Sequence, residues 1–159
     1  MSKIIPNSFQ TPNAYVDEYL AYLTPEEFVV LIYMDRRIFG FHKGQDRISL
    51  SQFEQGIKTS KGKILDEGTG LSRKTILKAL GELKEFGLIR QVAPNNPPTN
   101  DGACYELQFD EMLIDLEGLK ARRDKQLRKN RTRTKRGRLM SLRNRHVTGG
   151  VSDTPHSGE

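Results

Sequence analysis

Apolar residues recur at helical spacing near the start of the chain, after residues that commonly cap helices. Thr11-Pro12 places a hydroxyl before a proline at the first helical position. The apolar face of this first helix is predicted to comprise Tyr15, Val16, Tyr19, Leu20 and Leu23. Thr24 and Glu27 have the spacing of a capping box, so a second helix is predicted from there to residues 36–37.

The next thirty residues carry shorter signals. Residues 38–46 interrupt the helical pattern and are rich in turn-forming residues, and residues 47–49 are predicted to form a short strand. Ser49 and Gln52 have the spacing of another capping box, which predicts a short helix from Leu50 to about Gln55, ending near Gly56. Residues 57–70 combine glycines with charges and are predicted to form a mobile loop.

The strongest local pattern lies between residues 72 and 87. Ser72 is predicted to cap a helix over residues 73–86, and Gly87 is placed where a left-handed residue would end it. The predicted buried stripe is Ile76, Ala79, Leu80 and Leu83, and the opposite face is Lys74, Lys78, Gly81 and Glu85.

A β-hairpin is predicted after this helix. Residues 88–92 and 103–107 have strand composition, and residues 93–102, with three prolines and three asparagines, would form a long tip. A further helix is predicted over residues 110–119, and the residues expected on its apolar side are Met112, Leu113, Leu116 and Leu119.

The order of these elements predicts a mainly α fold with a small β-hairpin wing, the winged helix-turn-helix. Its expected organisation is an N-terminal arm (1–10), the winged domain (11–109), a C-terminal helix (110–119) and a tail (120–159).

Charge divides the chain unevenly. Residues 1–119 contain 13 basic and 17 acidic side chains, whereas residues 120–145 contain 13 basic side chains and only Asp124 as an acid. Self-repulsion is expected to keep this tail extended and disordered when free. It is either a solvated extension or a clamp for phosphates, and the side chains of the clamp would be Arg122, Arg123, Lys125, Arg128, Lys129, Arg131, Arg133, Lys135, Arg136 and Arg138.

Several functional classes find no support. Cys104 is the single cysteine, and the longest apolar run has seven residues where a membrane-spanning helix needs about twenty. No metal-ligand spacing surrounds the three histidines, and no glycine-rich nucleotide loop is present. The first six residues contain no apolar core of signal-peptide length. We therefore expect a non-enzyme without cofactor, metal, membrane or small-molecule substrate, located in the cytoplasm.

The predicted wing and the start of helix 73–86 are the candidate DNA contacts. A major groove about 12 Å wide admits one helix that shows short and cationic side chains near its N-terminus. The candidates on this helix are Ser72, Arg73, Lys74, Thr75 and Lys78, and those on the wing are Asn95, Asn96, Thr99 and Asn100. Taken singly, such lysines are more often a solvated surface, and such a tip is equally well a disordered loop. The combination in this order favours DNA binding.

Five segments resemble the N-terminal domain of phage replication protein O. They are residues 7–17, 24–28, 37–43, 46–50 and 70–75, within a region of similarity that covers about residues 5–90. The resemblance implies a replication initiator whose winged domain binds origin repeats, usually as a dimer, and whose C-terminal part recruits the helicase or its loader. It also implies that the cytoplasm in which the protein acts is that of a bacterial host cell. The positions that would face the origin are matched by the five helix residues named above, Ser72, Arg73, Lys74, Thr75 and Lys78. The long glycine-rich stretch 57–69 departs from the family pattern.

Two other functions remain open from the sequence. The same fold serves transcriptional regulators, and nothing in the candidate recognition helix separates the two roles. An adaptor is the third alternative, with a winged domain that binds protein and a tail that binds RNA or an acidic partner.

Overall fold

The structure is a computed structural model that describes the backbone of residues 8–147 and the side chains of residues 8–140. It shows a mixed α/β protein, 53% helical, with small antiparallel sheets. The chain divides into two compact units, Met1–Lys120 and Ala121–Glu159. Within the described residues, no helix has the length and apolar character needed to cross a membrane.

Helices α1 (Pro25–Ile38) and α2 (Leu50–Gln55) begin where their capping residues predicted. The Glu27 amide donates to the Thr24 hydroxyl at 3.2 Å, and the Thr24 amide donates to the Glu27 carboxylate at 2.9 Å. Ser49 and Gln52 make the same reciprocal bonds. Both boxes satisfy amides that would otherwise lack partners in the first helical turn.

Helix α3 (Arg73–Glu85) also confirms its prediction. The Thr75 amide donates to the Ser72 hydroxyl at 3.3 Å at its start. At its end Gly87 has a φ of +76°, and a Cβ there would lie 2.1 Å from the Leu113 carbonyl oxygen. Only glycine combines this conformation with such a close approach.

The main sheet has the strand order β1 (Asp46–Ile48), β5 (Ala103–Leu107), β4 (Ile89–Ala93), and both pairings are antiparallel. The predicted hairpin of residues 88–107 is thus confirmed, with a bulge between Gln91 and Ala93. The predicted stripe of α3 is buried and belongs to one core with α1, α2 and the sheet; its most enclosed members include Val30, Met34, Phe53, Ile76 and Leu83. Each such side chain contributes about 1.5–3 kcal/mol by burial.

The first predicted helix differs in its winding. Residues Tyr15–Tyr19 form a π-helical turn in which the Leu20 amide donates to the Tyr15 carbonyl, five residues back. Tyr15 and Tyr19 are buried, but Val16 and Leu20 are exposed. The prediction of one continuous apolar face is wrong, because a π turn has more residues per turn than an α-helix.

Residues 57–66 form a hairpin instead of the predicted loop. Strands β2 (Ile57–Lys58) and β3 (Ile64–Asp66) pair antiparallel. Gly56, Gly62 and Gly68 all have positive φ, which allows the tight turn and the close approach at the base of the hairpin.

The last helix begins later and extends further than predicted. Residues Glu111–Leu113 form a 3-10 turn with Met112 and Leu113 exposed, and helix α4 spans Leu116–Val147. The Gly118 amide donates to the Asp115 carboxylate at 2.8 Å, which caps α4. The tail is helical through residue 147 because its lysines, arginines and leucines favour helix and no proline interrupts them. Residues 1–7 of the predicted arm and 148–159 of the predicted tail lie outside the described residues.

Candidate nucleic-acid interface

The start of α3 carries the five candidate helix residues, and the structure gives them three different surroundings. The hydroxyls of Ser72 and Thr75 lie 2.9 Å apart and take part in the helix cap. Lys74 and Lys78 are exposed on the outer face of the helix, as their spacing predicted. Neither lysine has a carboxylate within 4 Å in the described part of the chain, so both ammonium groups are free to meet an anion.

Arg73 is engaged by a neighbouring helix. Its Nε lies 3.4 Å from Oε2 of Glu54, in the last turn of α2, while its side chain stays 58% exposed. An ion pair at this exposure contributes about 0–1 kcal/mol, so the guanidinium can exchange Glu54 for a phosphate or a base edge.

A groove joins the start of α3 to the tip of the β4–β5 hairpin. Its volume is about 400 Å³, and the residues lining it include Arg73, Lys84, Ser51, Asn95 and Asn100. Two of the four predicted wing residues therefore share one concave surface with a predicted helix residue. Polar and apolar side chains both line this groove. Lys74 and Lys78 are not among them and lie on the neighbouring exposed face of α3.

The hairpin tip is held by its own asparagines. The Gly102 amide donates to Oδ1 of Asn95 at 2.9 Å, and the Asn100 amide donates to the Asn96 carbonyl at 2.7 Å. Asn100 has a φ of +51°, and Thr99 directs its hydroxyl to the Asn96 carbonyl at 3.5 Å. Asn95 thus shapes the tip through an internal bond, whereas the Asn96 side chain is exposed.

Sequence reasoning missed the role of Arg47. Its guanidinium donates to the carbonyls of Gly102, at 3.0 Å, and Pro94, at 3.4 Å, and so joins the two ends of the tip. These carbonyls lie about fifty residues further along the chain, so no local pattern pairs them with β1. The exposed Leu77 on α3 was also missed as a member of the groove.

An acidic border lies on the other side of α3. A cavity of about 290 Å³ is lined by Glu26 and Glu27 at the start of α1 together with Lys74, Thr75 and Lys78. The two carboxylates oppose the approach of a phosphate along this side. An anionic ligand is therefore favoured on the outer face and on the side of the β4–β5 hairpin.

The ten candidate tail residues all lie on α4. Apart from the half-buried Arg122 they are exposed, and at 100° per residue they are distributed around the whole circumference of the helix. A helix that is cationic on every side suits a ligand with phosphates on more than one side, such as a nucleic-acid groove. Thr132 and Thr134 turn their hydroxyls back to the carbonyls of Arg128 and Asn130.

The described residues offer little support for a reactive cysteine or a metal site. Cys104 is buried in β5, as expected of a small core residue. Among the described residues, no three histidine, cysteine, aspartate or glutamate side chains come together as metal ligands. Comparisons of the chain with protein-family models, with curated proteins and with solved structures found no match.

Proposed function

We propose that this chain is a sequence-specific double-stranded DNA-binding protein with a winged helix-turn-helix fold. The supporting observation is the groove that Arg73 at the start of α3 shares with Asn95 and Asn100 at the tip of the β4–β5 hairpin. In this proposal α2 crosses the DNA backbone, α3 enters the major groove, and the β4–β5 hairpin is the wing. Lys74 and Lys78 supply unpaired cations on the exposed face of α3.

The second unit has a separate role in the proposal. The cations of α4 grip the DNA backbone without sequence preference and offset the excess of acids in residues 1–119. Because every neutralised phosphate releases counterions, this contribution weakens steeply as salt rises.

The biological role we propose is origin binding during the initiation of phage or mobile-element replication. It rests on the resemblance of residues 5–90 to the N-terminal domain of phage replication protein O. The partners in this role are origin repeats, bound by a homodimer, and the replicative helicase or its loader. A transcriptional regulator would use the same surface, and a protein-binding adaptor would use it without duplex DNA.

The test is selection of bound duplexes from a random pool by the full chain, followed by mapping of the enriched sequence onto the genome of the element that encodes it. Origin binding predicts clustered repeats of one motif, and recovery of helicase or its loader from lysate with the protein. Sites upstream of promoters together with polymerase subunits would favour the regulator. No duplex binding at low salt would favour the adaptor.

A further inference from the structure

The tip of the β2–β3 hairpin carries three lysines that the proposed interface has not used. Lys58, Lys61 and Lys63 are exposed, and residues 57–65 contain no acidic side chain. The tip therefore brings three positive charges close together in a region, residues 1–119, that has more acids than bases.

These lysines differ from most other cations of the first unit. Arg37, Lys43, Arg73 and Arg90 form ion pairs with carboxylates. Three further cations are engaged in other ways: Arg36 stacks on Phe41, Arg47 donates to the carbonyls of the β4–β5 tip, and Lys84 donates to Gln91. Within residues 8–119, the side chains with no such partner are Lys58, Lys61, Lys63, Lys74 and Lys78. The unpaired cations are thus confined to this hairpin and the outer face of α3.

The hairpin tip has a defined conformation. The Thr59 amide donates to the Lys63 carbonyl at 2.8 Å, and the Gly62 amide donates to the Thr59 carbonyl at 2.9 Å. The Lys63 amide also donates to the Thr59 hydroxyl at 3.1 Å. Because the backbone is already ordered, a ligand that meets these lysines does not have to order it.

The base of the hairpin is fixed to two helices. The Tyr33 hydroxyl of α1 donates to Asp66 Oδ1 at 3.0 Å and reaches the Gln52 carbonyl of α2 at 2.9 Å. The Thr69 hydroxyl donates to the Phe53 carbonyl at 2.7 Å. Burial, with the Asp66 charge next in importance, raises the pKa of Tyr33 to about 12, so this hydroxyl keeps its proton at physiological pH.

The same turn of α2 meets the hairpin base and the start of α3. A Cβ on Gly68 would lie 2.5 Å from the Gly56 nitrogen and 2.9 Å from the Glu54 carbonyl carbon, so the hairpin base lies directly against the end of α2. Glu54 in that turn pairs with Arg73. The base of the hairpin and the N-terminus of α3 therefore meet the same turn of α2. From this base, residues 57–60 lead out to the tip, a distance of roughly 13 Å for four extended residues.

We propose that the β2–β3 hairpin is a second wing, which binds the phosphate backbone of duplex DNA through Lys58, Lys61 and Lys63. This inference rests on the proposed function, because it requires α3 to enter the major groove. A helix in a groove about 12 Å wide has a phosphate backbone on each side, within reach of such an arm. The contacts are to phosphates, so they add affinity and fix position but carry no base preference.

The test measures binding of the full chain to a labelled duplex with the selected motif and to a scrambled duplex, over a range of salt. The variant K58Q/K61Q/K63Q should make the slope of log K against log salt about 2.7 less steep, since each phosphate contact contributes about 0.9. The loss of affinity should be the same on both duplexes. The variant K58R/K61R/K63R keeps the charge and should keep the slope.

A charge-matched control separates the effect of where the lysines lie from the effect of lowering the net charge by three. The variant R36Q/K43Q/R90Q removes three cations of the first unit that lie outside α3, α4 and the β2–β3 hairpin, and its slope should change by less than one. Thermal melting checks that all variants fold. An unchanged slope for K58Q/K61Q/K63Q, or an equal change for the control, would overturn the second wing alone. No binding of either duplex by the unaltered chain at low salt would overturn the proposed function and this inference with it.

Discussion

Arg73, the first residue of α3, forms an ion pair with Glu54 in the last turn of α2, at 3.4 Å. The pair joins the two helices that the proposed function places against DNA, at the end of α2 that also contacts the base of the β2–β3 hairpin. It also puts a carboxylate beside the cation that we expect to approach a phosphate or a base edge. The pair therefore restrains Arg73 in the free protein while adding little to the packing of the two helices.

Glu54→Gln should release this restraint. Removing the carboxylate frees Arg73 and takes one negative charge from the interface, so binding to all duplexes should tighten up to about fivefold, which corresponds to about 1 kcal/mol. The free energy of unfolding should change by less than about 1 kcal/mol, because the pair is exposed. Fluorescence anisotropy and urea unfolding measure the two quantities. Weaker binding by the variant would show that Glu54 positions Arg73 productively.

Asp35 should make stability depend on pH. Its carboxylate is buried in α1, and neither oxygen has a hydrogen-bond partner within 3.5 Å in the described part of the chain. Burial raises the pKa of Asp35. The Thr11 side chain lies near the carboxylate without forming a hydrogen bond with it in this structure, so it favours the charged form only weakly and opposes burial in part. A raised pKa means that the folded state prefers the protonated acid. The contribution of Asp35 to the free energy of unfolding is therefore most favourable below the pKa that this carboxyl has in the unfolded chain. It is lost as the pH rises through the higher pKa of the folded state.

Asp35→Asn should therefore increase the free energy of unfolding at pH 7, by about 1–3 kcal/mol, because it removes a buried charge that has no partner. The gain should shrink as the pH falls toward 4. Asp101→Asn, at an exposed position, is the control and should show neither effect. Urea unfolding at several pH values gives the comparison. A variant less stable than the parent at pH 7 would mean that the carboxylate is stabilising there.

Two glycines of the α3 region should respond to alanine with opposite signs. Gly87→Ala places a Cβ against the Leu113 carbonyl at a φ of +76° and should cost about 2 kcal/mol or more. Gly81 lies inside α3 with no atom within 4 Å of its would-be Cβ. Gly81→Ala should therefore stabilise the protein by about 0.5–1 kcal/mol. Thermal or urea unfolding of both variants checks the pair. A Gly87→Ala variant as stable as the parent would contradict the assignment of Gly87, and a destabilised Gly81→Ala variant would contradict that of Gly81.

Deletion of residues 121–159 should weaken binding to selected and scrambled duplexes alike. The deletion removes the α4 cations, so the slope of log K against log salt should become less steep, while the preference for the selected motif stays. Leu119 is buried in the core of the first unit and is kept. Far-UV circular dichroism should show the loss of helix. A slope equal to that of the full chain would refute the clamp.

Local signals predicted the parts of the fold that depend on a few adjacent residues. The capping residues Thr24, Ser49 and Ser72 begin helices as predicted, because cap and amide lie within one turn of each other. The β2–β3 hairpin was not predicted, because its strands have only two and three residues and its glycines and lysines are typical of a loop. The bond that fixes its base comes from Tyr33, which lies 33 residues before Asp66 in the chain. The tail was expected to be extended because its charges repel one another, but it is helical through residue 147, since the helix propensity of its lysines, arginines and leucines outweighs that repulsion.

In the candidate site, too, features that depend on one helix were predicted, and contacts between separate elements were not. The exposed positions of Lys74 and Lys78 follow from helical periodicity and were predicted. The Arg73–Glu54 pair and the bonds of Arg47 to the β4–β5 tip join elements that are distant in sequence or separated by a turn. The alternation of residues along one helix or strand contains no information about such contacts, and they appear only once the elements are packed together.

The central claim is that the exposed face of α3 reads DNA sequence, and the variant Lys74→Ala, Lys78→Ala tests it most directly. The measurement is the ratio of affinities for the selected duplex and a scrambled duplex at physiological salt, with Arg36→Ala, Lys43→Ala as the charge-matched control. Loss of base contacts worth about 1–3 kcal/mol each should lower this ratio tenfold or more, and the control should leave it unchanged. A double variant that keeps the full ratio, whatever its absolute affinity, would contradict the assignment of α3 as the recognition helix.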